Sequence, residues 1–124
     1  MRSTLAAVFF LIGWGSVAQA DILAGGAAYG GPTQYTGVCY LYNAGGASVT
    51  VSSIHIYDEV GNAYIALSDS CTNILAGRTC RTVSRIFDGI AYSCKAVVSS
   101  KANVRGRLEL RKLDGTYLTH QELR

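Results

Sequence analysis

The sequence has 124 residues, enough for one domain, and a formal net charge of +3. Once Arg2 leaves with the leader described below, that charge falls to +2, too small to argue for a nucleic-acid partner. The four cysteines are spaced by 32, 9 and 14 residues with no Cys-x-x-Cys, which argues against a structural zinc site.

The first 20 residues read as a Sec-type signal peptide: Arg2 as a positive n-region, Leu5 to Ile12 as a short apolar run, and Ala18-Gln19-Ala20 with small residues at the cleavage positions. The apolar run is too short to span a bilayer and is soon interrupted by Gly13 and Gly15. No cysteine follows the cleavage site to carry a lipid anchor, and no second run of membrane length follows, so no membrane span is expected after cleavage. The expected location is the periplasm or the outside of the cell. Residues 21–124 suffice for one modest core built from Val, Ile, Leu, Ala and Tyr, with Phe87 the only Phe.

Residues 21–34 hold four glycines within the stretch Asp21–Thr33 and the only proline, and read as a Gly-rich lead-in with a poor edge strand near Ile22–Ala24. A β-domain over 35–124 follows. Its first strand is Tyr35–Tyr42, with Cys39 and Leu41 on one face and Val38, Tyr40 and Tyr42 on the other. Asn43-Ala44-Gly45-Gly46 supplies positive-φ residues for a turn. In the next strand, Val49 to Tyr57, the alternation changes phase between Val51 and Ile54; a β-bulge at Ser52-Ser53 keeps Val49, Val51, Ile54 and Ile56 on the core side and turns His55 and Tyr57 outward. Asp58 to Asn62 is a turn and Tyr64–Leu67 a short strand. Cys71 to Cys80 brackets a loop, Arg81–Phe87 is a strand, Asp88-Gly89 a turn, and Ala91–Ser99 the next strand. The clearest hairpin is the last: Val104, Gly106, Leu108 and Leu110 alternate with Arg105, Arg107, Glu109 and Arg111, Asp114-Gly115 turns the chain, and Tyr117–Leu123 returns. No stretch of 10–15 residues carries helical periodicity. Strand signals every 8–14 residues with turns between them indicate an all-β antiparallel sandwich of about seven strands.

Four cysteines in a small exported domain imply two disulfides, and four allow three pairings among which sequence alone does not choose. The pairing we expect is farthest and nearest, Cys39–Cys94 and Cys71–Cys80; the first ties two strands through the core and the second pins a loop.

The stretch Asp88-Gly89-Ile90-Ala91-Tyr92-Ser93-Cys94 resembles the immunoglobulin-type Asp-x-x-x-Tyr-x-Cys, in which a corner Tyr precedes the second core Cys by two. It departs in having no Trp outside the leader to pack on the bridge. More widely, Asn43-x-Gly45, Val49 to Ile54, Cys71 and Leu75-Ala76-Gly77-Arg78-Thr79-Cys80 resemble the abnormal-spindle/hydin-type (ASH-like) domains of secreted bacterial proteins over about residues 39–113, without the Phe-x-Pro usual after the second of those cysteines. The resemblance implies an Ig-like β-sandwich used as a spacer or interaction module, not an enzyme.

The chemistry-bearing residues agree with that expectation. Neither His55 nor His120 sits in His-Glu-x-x-His, no Gly-x-Ser-x-Gly elbow occurs, and a nucleophilic Cys is not expected to survive oxidation outside the cytoplasm. Asp58, Glu59 and Asn62 have calcium-binding side chains but read as a turn, since no ligand ladder accompanies them. No catalytic residue, cofactor or metal is expected. Two surface features remain. Arg105, Arg107 and Arg111, with Lys101 and Lys112 close by, form a basic strand face that suits an acidic glycan or another polyanion; a solvated strand guarded against edge pairing gives the same pattern. Tyr40, Tyr42, His55 and Tyr57 form a candidate aromatic contact, or simply cover the sheet as cross-strand pairs. In an Ig-type sandwich the strands bearing Tyr40 and His55 fall in different sheets; in a simple hairpin they share one. The expected role is interaction with another envelope or extracellular protein, or structural support; the alternative is a binding module for an acidic glycan.

Overall fold

The computed structural model describes residues 20–124; the expected leader, apart from Ala20, lies outside them. The alternating segments form nine strands among the described residues, two of them only two residues long: β1 (Asp21–Ala24), β2 (Thr36–Asn43), β3 (Val49–Asp58), β4 (Ser68–Asp69), β5 (Asn73–Ile74), β6 (Thr79–Arg85), β7 (Tyr92–Val98), β8 (Val104–Arg111) and β9 (Tyr117–Leu123). They build a four-stranded sheet in the order β1-β7-β3-β5 and a five-stranded sheet in the order β4-β6-β2-β8-β9, every pairing antiparallel.

The core lies between the sheets. Period-two alternation turns Cys39 and Leu41 of β2 and Leu108 and Leu110 of β8 inward from one side. Ile54 and Ile56 of β3 and Tyr92, Cys94, Ala96 and Val98 of β7 meet them from the other. Each fully buried Leu or Ile in this layer contributes about 1.5–3 kcal/mol. The expected bulge is present: the β3–β7 register shifts between Val51 and Ser53, and the extra residue returns Ile54 and Ile56 to the core side after Val49 and Val51.

Cys39 of β2 and Cys94 of β7 are bonded across the two sheets, with Cα atoms 6.4 Å apart, and Cys71 is bonded to Cys80 beside the short strands β4 and β5. Two residues before Cys94, the buried Tyr92 hydroxyl accepts a hydrogen bond from Phe87 N at 2.9 Å, the geometry of a tyrosine corner. The pairs β2–β6 and β3–β7, joined by that disulfide, form the centre of an immunoglobulin-like sandwich. The flanks differ. An immunoglobulin domain places its last strand beside the strand carrying the second Cys; here β1 takes that place, and the β8–β9 hairpin flanks β2.

Three local expectations change. The glycines of the lead-in are read from sequence as looseness, yet this segment seals one side of the sandwich. β1 pairs with β7 along its whole length, Ala24 and Arg124 exchange backbone hydrogen bonds, and Gly25 and Gly30 run against β9. A Cβ on Gly25 would lie 2.9 Å from Glu122 O, and one on Gly30 would lie 3.2 Å from Leu118 side-chain atoms, so close approach explains these glycines. Gln34, buried, fixes the end of the segment: its Oε1 accepts from Gly30 N, and its Nε2 donates to Phe87 O and Ile90 O.

The strand expected at Tyr64–Leu67 does not form. Tyr64 N donates to Ile56 O and Leu67 N to Val83 O, so the segment crosses from one sheet to the other instead of running along either, and it leaves Ile65 87% exposed. None of Asn43-Ala44-Gly45-Gly46 adopts a positive φ, and Asn43 is the buried end of β2. Its Nδ2 donates to Ala47 O and Ile74 O and its Oδ1 accepts from Gly45 N, so every polar atom of the side chain is used where the chain leaves one sheet for the other.

Candidate anion-binding face

The inward turn of Cys39 and Leu41 forces Val38, Tyr40 and Tyr42 onto the outer face of the five-stranded sheet. The register then decides their neighbours. Tyr40 lies between Arg81 of β6 and Arg107 of β8; Tyr42 lies between Thr79 and Arg105. Across a sheet these neighbours stand about 4.8 Å apart, and rows along a strand about 6.8 Å apart. Arg85 and Arg111 flank Thr36 at one end of the face, and Glu122 of β9 lies opposite Arg107. Five arginines and two tyrosines of three adjacent strands therefore share this surface with Glu109 and Glu122.

The arginines are not equivalent. Glu109, with a side chain only 12% exposed, sits between two of them: Arg107 Nε is 3.3 Å from its Oε2, and Arg111 Nη2 donates to its Oε1. Arg111 also donates to Gly115 O at 2.9 Å. The Glu109 carboxylate raises the Arg111 pKa above its ordinary value, with Tyr40 alongside adding to it. Arg85 lies 3.5 Å from the Tyr35 ring centroid and 4.7 Å from that of Phe87, and donates to Tyr35 O and Ile86 O. These side chains hold the sheet together. Arg81 is exposed and makes no side-chain hydrogen bond or ion pair among the described residues; Arg105 is exposed and donates only to Val104 O. Arg107 keeps 41% of its side-chain surface open. The cations open to a ligand thus gather around Tyr40 and Tyr42. There a shallow depression of about 350 Å³ is bordered by both tyrosines, Arg105, Arg107, Glu109 and Glu122.

The residues singled out by sequence divide accordingly. Arg105 and Arg107 join Tyr40 and Tyr42. Arg111 shares their face but is held by Glu109. Lys101 lies in the β7–β8 turn, where its backbone N donates to Asp21 Oδ2, and it borders a second depression that Arg105 and Glu122 also line. The four-residue aromatic contact is corrected: His55 and Tyr57 belong to the other sheet, where His55 pairs with Lys95 in register and Lys95 Nζ lies 5.4 Å from the Tyr57 ring. They are separated from Tyr40 and Tyr42 by the thickness of the core. Sequence reasoning missed Arg81 and Glu122. The signal for Arg81 was available, since it alternates with buried Thr82 and Ser84 in β6.

Other chemistry-bearing groups are engaged in structure. Asp58 Oδ1 accepts from Val60 N and Asn62 N, Asp58 Oδ2 accepts from Asn62 Nδ2 and Tyr64 OH, and Glu59 Oε1 accepts from Ala91 N. These acids shape the turn after β3. Hydrogen bonding to Tyr92 raises the Tyr64 pKa, completing a chain Phe87 N–Tyr92–Tyr64–Asp58. Among the described residues no three His, Cys, Asp or Glu side chains converge as metal ligands, and no helix is long and apolar enough to cross a membrane. The two disulfides suit a chain matured in an oxidising compartment.

No family model, curated protein or solved structure matches this chain.

Proposed function

We propose that this protein is an exported, non-catalytic interaction module of the cell envelope or the extracellular space, and that it engages an anionic partner through the outer face of its five-stranded sheet. The leader pattern of residues 1–20 and the two disulfides support export by a Sec-type route to the periplasm or beyond. The resemblance of its motifs to ASH-like domains supports a spacer or interaction role.

The observation that carries the reading is Tyr40 held between Arg81 and Arg107 in one row across three strands. Planar guanidinium groups suit carboxylate, sulfate or phosphate in a bidentate grip, and tyrosines supply rigid contact area at binding surfaces. One partner class with this chemistry is another envelope or extracellular protein presenting an acidic patch. An acidic glycan is the second reading, favoured by the aromatic pair lying among the cations.

The test is a pull-down from envelope extract at low and high salt, using the oxidised protein and its Arg81→Gln, Arg105→Gln, Arg107→Gln triple variant. Anionic prey captured by the wild type, weakened by salt and lost in the variant, is the expected result. Equal capture by both proteins sinks the assignment of this face.

A further inference from the structure

The depression around Tyr42 and Arg105 carries more than positive charge. Glu122, exposed on β9, borders it together with Arg105 and Arg107, while Glu109 is already held between Arg107 and Arg111. An ionised carboxylate only accepts hydrogen bonds. A dense polyanion such as a polyphosphate brings no donor for Glu122 and meets it as a like charge. A sugar hydroxyl donates to Glu122, an anionic substituent on the same sugar takes the guanidinium groups, and the apolar face of the ring lies on tyrosine. Tyr40 and Tyr42, two residues apart on one strand, offer two such platforms about 6.8 Å apart.

Resting on the anion-binding reading above, we infer that the occupant of this face is a short acidic oligosaccharide containing uronic acid. Its hydroxyl groups donate to Glu122 while its carboxylates reach Arg81, Arg105 and Arg107. The same arrangement selects against bare polyanions, because the β9 side of the face is acidic.

The experiment is calorimetric titration of the oxidised protein at 150 mM salt with three hexasaccharides (hyaluronan, polygalacturonate and alginate), with a 15-nucleotide oligothymidine and with inorganic polyphosphate. At least one hexasaccharide is expected to bind at least tenfold tighter than either bare polyanion. Its log K should fall against log salt with a slope of roughly −2 to −2.7, as for about three ionic contacts. Tyr42→Ala and Arg81→Gln, both at exposed positions, should each lower that affinity about tenfold. Glu122→Ala discriminates by sign. It should weaken the hexasaccharide several-fold and strengthen the oligothymidine. Tighter hexasaccharide binding by Glu122→Ala, or preference for polyphosphate over all three sugars, overturns the inference. If a bare polyanion binds best and Arg81→Gln abolishes it, the face is correct and the sugar is wrong. If none of the five probes binds, both this inference and the anion-binding face fall.

Discussion

Removing the disulfide Cys39–Cys94 should cost more stability than removing Cys71–Cys80, by an amount set by loop length. The first closes a sequence separation of 55 residues and the second a separation of 9. In the chain-entropy description these loops correspond to about 4 and about 2.7 kcal/mol of restricted unfolded-state freedom. Cys39 and Cys94 are also fully buried between the sheets, so Cys→Ala at both leaves a small void that adds to the loss. The urea slope of small proteins is about 1–3 kcal/mol/M and grows with size, so a domain of this size lies near the low end, about 1–1.5. The Cys39→Ala, Cys94→Ala variant should therefore unfold about 3 M earlier than the wild type, and the Cys71→Ala, Cys80→Ala variant about 2 M earlier. Urea titrations followed by tyrosine fluorescence and far-UV circular dichroism read both values. Losing as much or more stability from the short bridge would refute the reasoning. The long bridge would then not be the principal tie between the sheets.

Three further outcomes are expected. Tyr92→Phe leaves Phe87 N without its acceptor and breaks the link to Tyr64, and should cost about 1–3 kcal/mol in denaturant unfolding. Gly106→Ala places a Cβ 2.9 Å from the Leu123 Cβ and 3.1 Å from Leu41 Cδ2 and should cost about 1–3 kcal/mol, whereas Gly46→Ala, with nothing within 4 Å, should change little; thermal melts compare the two. Asp58 is held below its ordinary carboxylate value chiefly by the Asn62 backbone N–H, with the Asn62 side chain and Val60 N adding to the effect. Because its folded pKa lies below its unfolded one, the stability it contributes is present above the ordinary carboxylate value and is lost as pH falls through the folded value. Asp58→Asn should accordingly flatten the acid limb of a stability–pH curve, and an unchanged limb would show that this turn does not carry the effect.

Much of the fold was legible because its signals are local. The phase change between Val51 and Ile54 marks the bulge, and the run Val104–Arg111 followed by Asp114-Gly115 marks the β8–β9 hairpin. Alternation also assigns the faces of β2 correctly, since period two depends only on which residues are apolar. It does not say which strands become neighbours. Tyr40 and His55 read alike as outward residues, yet the chain changes sheets at Asn43, and they end on opposite sides of the molecule. Arg81 reads as one charged residue in a middling strand until the register sets it beside Tyr40. Gly25 and Gly30 read as loss of order, although the contact that requires them is with β9, some ninety residues further along the chain. Tyr64–Leu67 has the composition of a strand, but its amides bond to one sheet at Tyr64 and to the other at Leu67. In each case the deciding contact is long-range, and composition does not contain it.

The most direct measurement is amide shift mapping by two-dimensional NMR of the isotopically labelled, oxidised protein, titrated with a heparin-derived tetrasaccharide as a general anionic probe. The largest shifts are expected at Tyr40, Tyr42, Arg81, Arg105 and Arg107, diminishing as salt is raised. Shifts centred on His55, Tyr57 and Lys95 of the opposite sheet, or spread evenly over the surface, would contradict the anion-binding assignment.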